Sequence, residues 1–176
     1  MTTPSDRWRT ACHEAGHAVA GSELGGRISG LALTENGGGL AGIQGLTGDR
    51  HCFMTAAGPA AEYLAAEYDA PELPTAEPTP PEPVTADDPP TRFAFNVARY
   101  GTHPEQYQTD DRVIAEWAIS GRESEPESWA KRVAFAKHVA SDIIEKNVGT
   151  VMRVATELYI RGRLTRVEIE TLLKGA

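Results

Sequence analysis

With 40% hydrophobic and 24% charged side chains, a chain of 176 residues has enough apolar material for one packed core and is neither fibrous nor of low complexity. Its net charge of −8 is uneven, because Asp69 to Thr91 holds six acids and no base, leaving nineteen acids against seventeen bases elsewhere. No basic stripe stands out, so nucleic acid is not an expected partner.

No run approaches the roughly 20 apolar residues of a membrane span. Residues 1–9 are not followed by the apolar core of a signal peptide, so no membrane and a cytoplasmic location are expected. Cys12 and Cys52 are too few for a disulfide scaffold and read as two isolated, buried thiols.

In chain order, the first element is a helix from Pro4 to Leu24, with Thr3 as N-cap and proline at the first helical position. Trp8, Ala11, Cys12, Ala15, Ala18 and Val19 recur at three- and four-residue spacing and form its buried stripe. Gly25-Gly26 supplies the left-handed exit. Two short extended runs follow, Ile28 to Leu33 and Leu40 to Ile43, separated by Gly37-Gly38-Gly39; they predict a hairpin or small sheet. A second helix is expected from His51 to Ala66, kinked or broken at Gly58-Pro59.

Residues 69–91 hold eight of the twelve prolines and few apolar side chains, so they read as an extended, solvated loop. Neither flank looks self-sufficient, and residues 1–176 are expected to form a single domain. Beyond the loop, short helices are predicted at Phe93 to Tyr100 and Asp110 to Ser120. A long one follows from Glu127 to Lys146, with Trp129, Val133, Ala136, Ala140, Ile143 and Ile144 on its inner stripe. The last two run from Val151 to Ile160 and from Arg166 to Lys174, the latter opened by a capping box of Thr165 and Glu168. The expected fold class is mainly α (α+β), a helical domain with a small hairpin or sheet after the first helix.

The first helix contains His13-Glu14-Ala15-Gly16-His17. Residues four apart share a helix face, so both imidazoles can direct a nitrogen at one ion, and Zn²⁺ prefers such ligands at about 2.0–2.1 Å. Glu14 lies beside that pair rather than in it, where it can take a proton from water and pass it to a leaving amine. Histidine pairs without a metal usually lie on exposed surfaces, whereas this pair sits in an Ala/Gly-rich helix that would bury them. A catalytic site needs a third ligand and a position left for water. The candidates are Glu62, His51, His103, Asp110, Asp111 and His138.

His13-Glu14-Ala15-Gly16-His17-Ala18 resembles the peptidase domain of the FtsH-type AAA+ zinc metalloproteases. Residues 28–42 look like that family's strands after the motif, and Ala57-Gly58-Pro59-Ala60-Ala61-Glu62 is similar to its Gly-Gly-Arg-x-Ala-Glu element. Thr109-Asp110-Asp111 resembles the segment that brings its third ligand, an aspartate, and Val151 to Leu173 its two C-terminal helices. The resemblance implies an aspartate on the inward face of its helix. Val113, Ile114, Trp117 and Ala118 mark that face and select Asp110, while Asp111 points about 100° away and is the alternative, with Ala115 in its support. Glu62 is expected to orient a ligand histidine or to pair within the core.

The chain departs from the family in having Pro59 in place of arginine, a shorter path to Glu62, the Pro-rich stretch and no phosphate-binding Gly-x-x-x-x-Gly-Lys loop. The resemblance therefore implies a stand-alone zinc endopeptidase, independent of ATP in cis. It would act on peptides or unfolded proteins, which a strand edge near Leu40-Ala41-Gly42 would bind. Self-association, or service by a separate ATPase, is the implied partnership. Two alternatives stay open: a catalytically silent zinc-containing binding or regulatory module, and a structural zinc closed by a fourth ligand such as His51 or Glu62.

Overall fold

The computed structural model describes residues 4–34, 37–72, 110–121 and 126–175. Their helices are α1 (Pro4–Glu23), α2 (Gly48–Ala61), α3 (Leu64–Glu67), α4 (Asp110–Ile119), α5 (Pro126–Lys146), α6 (Val148–Arg161) and α7 (Arg166–Lys174). The strands are β1 (Arg27–Leu33), β2 (Gly39–Gln44) and β3 (Arg163–Thr165). The fold is mainly α with one small antiparallel sheet, as expected.

α1 is the central helix, packed against α2 on one side and α6 on the other. Its predicted stripe is the core: Trp8 is 2% exposed, and Ala11, Cys12, Ala15 and Ala18 are fully buried. Small residues dominate the stripe, so neighbouring backbones come close. At Gly16 a Cβ would lie 2.5 Å from the Ala57 carbonyl oxygen and 2.6 Å from the Ala61 Cβ, which only glycine avoids. Trp8 supplies bulk at the other end, edge-on to Tyr159 at 5.6 Å with its indole N–H donating to the Tyr68 carbonyl at 2.9 Å. Burying such a side chain contributes about 1.5–3 kcal/mol. Gly25, at φ +84°, turns the chain from α1 into the sheet.

β1 lies between β2 and β3. The hairpin register runs from Arg27 opposite Gln44 to Leu33 opposite Gly39, with an irregularity between Ile28 and Gly30. β3 is an addition to the expected hairpin, pairing Leu164 with Leu31 and burying it completely. Three residues between two helices carry no periodicity that distinguishes a strand from a linker.

The second helix departs from expectation. It begins at Gly48, runs through Gly58-Pro59 to Ala61, and only then breaks before α3. Proline removes the N–H that the Thr55 carbonyl needs, but its ring lies on the exposed side, so the helix continues to its next turn and closes with Glu62 N–H on the Pro59 carbonyl at 3.3 Å. α6 starts at Val148, three residues before the expected Val151.

On α5, Ala136, Ala140 and Ile144 are fully buried, with Val133 and Ile143 packed beside them. The Glu168 carboxylate accepts from both the N–H and the hydroxyl of Thr165 at 2.7 Å, capping α7. Cys12 and Cys52 are free and buried, and burial pushes their thiols up to about 12 and about 11. The expected loop at residues 69–91 is described only as far as Glu72, without regular structure, and the helix expected at Phe93 to Tyr100 lies outside the described residues.

Candidate metal centre

α1 presents His13 and His17 one turn apart, their ring centroids 4.7 Å apart and nearly perpendicular. α2 runs antiparallel beneath them and holds both rings from behind. His17 Nδ1 donates to the Met54 carbonyl at 2.9 Å, and His13 Nδ1 to the Glu62 carboxylate at 2.8 Å. A carbonyl and a carboxylate only accept, so each Nδ1 carries a hydrogen. In a neutral ring, Nε2 is then a bare electron pair.

The two Nε2 atoms are 3.0 Å apart. Asp110, at the first turn of α4, brings Oδ2 to 3.0 Å from His13 Nε2 and 3.2 Å from His17 Nε2. This oxygen is buried and accepts no hydrogen bond. Three donor atoms, two imidazole nitrogens and one carboxylate oxygen, thus converge at separations near the ligand–ligand edge of about 3.3 Å in a tetrahedral zinc site. Two imidazoles and one carboxylate match a catalytic zinc site with one position left over. Among the described residues, His13, His17 and Asp110 form such a group and no fourth protein ligand joins them.

The electrostatics favour a cation. Burial opposes charge on His13, but Asp110, Glu14 and Glu62 outweigh it and lift the imidazole to about 9. His17 is raised by Asp110 and Glu14 against the same penalty. Burial also opposes the charge on Asp110, yet the histidines hold its carboxyl well below the usual carboxylate range. Metal-free protein must hold protons where a metal ion can take their place.

Glu14 is 6% exposed, and burial raises its carboxyl even though His17 and His13 pull the other way. Gly39, at the start of β2, rests on it: a Cβ there would lie 2.4 Å from Glu14 Cγ and 2.5 Å from Oε1. Read as sequence, Gly39 belongs to a loop-like glycine cluster, and its one distinguishing signal is its place where a strand begins. The group opens into a cleft of about 550 Å³, whose walls include Thr10, Leu40, Ala41 and Val113.

The other candidates fall elsewhere. Asp111 is exposed beside Asp110. Glu62 stands behind the His13 ring, not among the converging atoms. His51 is exposed on the cleft wall and outside the cluster, and His138 is exposed on α5. His103 lies outside the described residues. Sequence reasoning missed Met54, because a backbone acceptor leaves no mark in side-chain identity.

A sequence model of the Peptidase M50B-like family matches residues 2–66. The matched part spans α1, the hairpin and α2, with His13, Glu14, His17 and Glu62, and stops short of Asp110. No curated protein matches the chain. The match supports a metallopeptidase, the class expected from the motif. It points to an M50B-like peptidase rather than the FtsH-type domain, so the FtsH and ATP-dependent labels drawn from the resemblance find no support.

Proposed function

We propose that the chain is a zinc-dependent metalloendopeptidase in which His13, His17 and Asp110 hold the metal and Glu14 moves the proton. The observation that carries this reading is the convergence of three donor atoms, two imidazole nitrogens and a carboxylate oxygen, 3.0–3.2 Å apart, beside a buried carboxylate in an open cleft. Bound there, zinc would supply a Lewis acid that brings the pKa of water to about 7.

Glu14 directly follows one ligand in sequence, so its carboxylate stands next to the donor set and outside it. Burial raises its pKa, which makes the carboxylate a stronger base toward the attacking water and lets it keep the proton until the leaving amine takes it. Among the described residues β1 is the only strand paired with β2, and residues 38–41 line the cleft. An extended peptide adds to that edge by main-chain hydrogen bonds, which suits an unfolded protein or a peptide as substrate. The sequence contains no phosphate-binding loop, so this hydrolysis draws no ATP from the chain itself.

A structural zinc would need a fourth protein ligand, and His51 and Glu62 stand outside the cluster. A silent binding module would keep the same ligands and differ only in turnover. Glu14→Gln separates it from the enzyme. Zinc stoichiometry should be unchanged by elemental analysis, while cleavage of an unfolded protein falls at least ~100-fold. Equal cleavage by the variant would sink the mechanism, and no cleavage by the wild type across a broad peptide panel would favour the silent module.

A further inference from the structure

Two poor helix formers stand side by side in α2, Gly58 and Pro59. Pro59 lies on the exposed side, but Gly58 is buried in the helix interior at φ < 0, where its freedom is unused. Local propensity alone would favour alanine there. The neighbours say otherwise. A Cβ at Gly58 would lie 2.4 Å from His17 Nε2, 2.5 Å from His17 Cε1 and 2.7 Å from His13 Nε2. It would enter the space in which both metal-facing nitrogens end.

Neither ring can retreat. His17 is tied through Nδ1 to the Met54 carbonyl and is itself buried, and His13 is tied through Nδ1 to Glu62. α2 is also packed closely on α1, since a Cβ at Gly16 would meet the Ala57 carbonyl oxygen and the Ala61 Cβ, so backing α2 away would open a gap in the buried α1–α2 crossing. The hydrogen bonds that aim the imidazoles and the helix crossing that sets their height thus leave room for a hydrogen atom and no more.

We infer that Gly58 is a positioning residue for the metal ligands: its missing side chain is what lets the His13 and His17 nitrogens converge. The inference rests on the zinc reading of the site and goes beyond it by naming a non-ligand residue that decides whether the ligand set can form.

The test compares wild type, Gly58→Ala and Gly149→Ala, an exposed helical glycine of α6 where a Cβ would meet only the Arg153 side chain, at 4.0 Å. Zinc affinity is read by competition with a chromophoric chelator. Gly58→Ala should weaken zinc about 10–100-fold or more, the scale seen when an outer partner of a metal ligand is lost, and Gly149→Ala should not change it. Wild-type affinity in Gly58→Ala overturns the inference. The second measurement is a thermal-unfolding cycle without metal, made in the wild-type and the His13→Ala/His17→Ala backgrounds. Gly58→Ala should lower the melting temperature, or prevent folding, with the histidines present, and leave it equal or higher with them removed. An equal loss in both backgrounds places the clash elsewhere and overturns the inference. Should wild type bind no zinc, the metal reading fails while the cycle still decides whether Gly58 makes room for the rings.

Discussion

Asp110 and Asp111 are adjacent, yet only one carboxylate reaches the histidines, because a helix turns the next side chain about 100° away. Asp110→Asn should therefore abolish tight zinc binding, and Asp111→Asn should leave it unchanged, both read by chelator competition. The His13 imidazole carries a pH signature. Its folded pKa of about 9 lies above the unfolded value of about 6.5, so in metal-free protein its contribution to stability is complete below pH ~6.5 and lost as pH rises through ~9. Thermal melts of metal-free protein should show that decline. Zinc must displace the same proton, so affinity should rise with pH across that window, with proton release visible by calorimetry in buffers of different ionisation enthalpy.

Elements, not single residues, aim the site. α1 carries the two histidines and Glu14, α2 fixes both rings from behind, and β2 rests on Glu14 through Gly39. The sheet is completed from the far end of the chain, where Leu164 of β3 is fully buried against the centre. Leu164→Ala should cost about 2–5 kcal/mol in denaturant unfolding through the cavity it leaves. The α7 cap is smaller in scale. Burial opposes the charge on Glu168, but Thr165 and Arg161 outweigh it and depress its carboxyl, so its contribution is present above the ordinary carboxylate range and lost as pH falls. Glu168→Ala should cost about 0.3–1.5 kcal/mol at neutral pH and less in acid, by melts at both pH values.

At the scale of the molecule, α4 packs on α2 and α5 and scarcely touches α1, so the Asp110–histidine junction is the main link between the first helix and α4. A metal held there pins the two together. Free zinc at a hundred times its dissociation constant should stabilise the protein by about 2.7 kcal/mol, and chelator or Asp110→Asn should remove that gain in thermal melts.

What the sequence by itself determined was whatever local periodicity encodes. The α1 stripe, the hairpin, the α5 face and the α7 cap all follow from spacings within one element. So does the His13–His17 pair, because an i, i+4 relation is complete within one turn of helix. The tertiary structure decided what depends on separate segments meeting. It brought Asp110 to both rings, set Glu62 behind His13 from 49 residues away, used the Met54 carbonyl as a hidden acceptor, and paired β3 with β1. It also gave Gly39 and Gly58 their meaning, since the space a missing side chain leaves has no signature until another element occupies it.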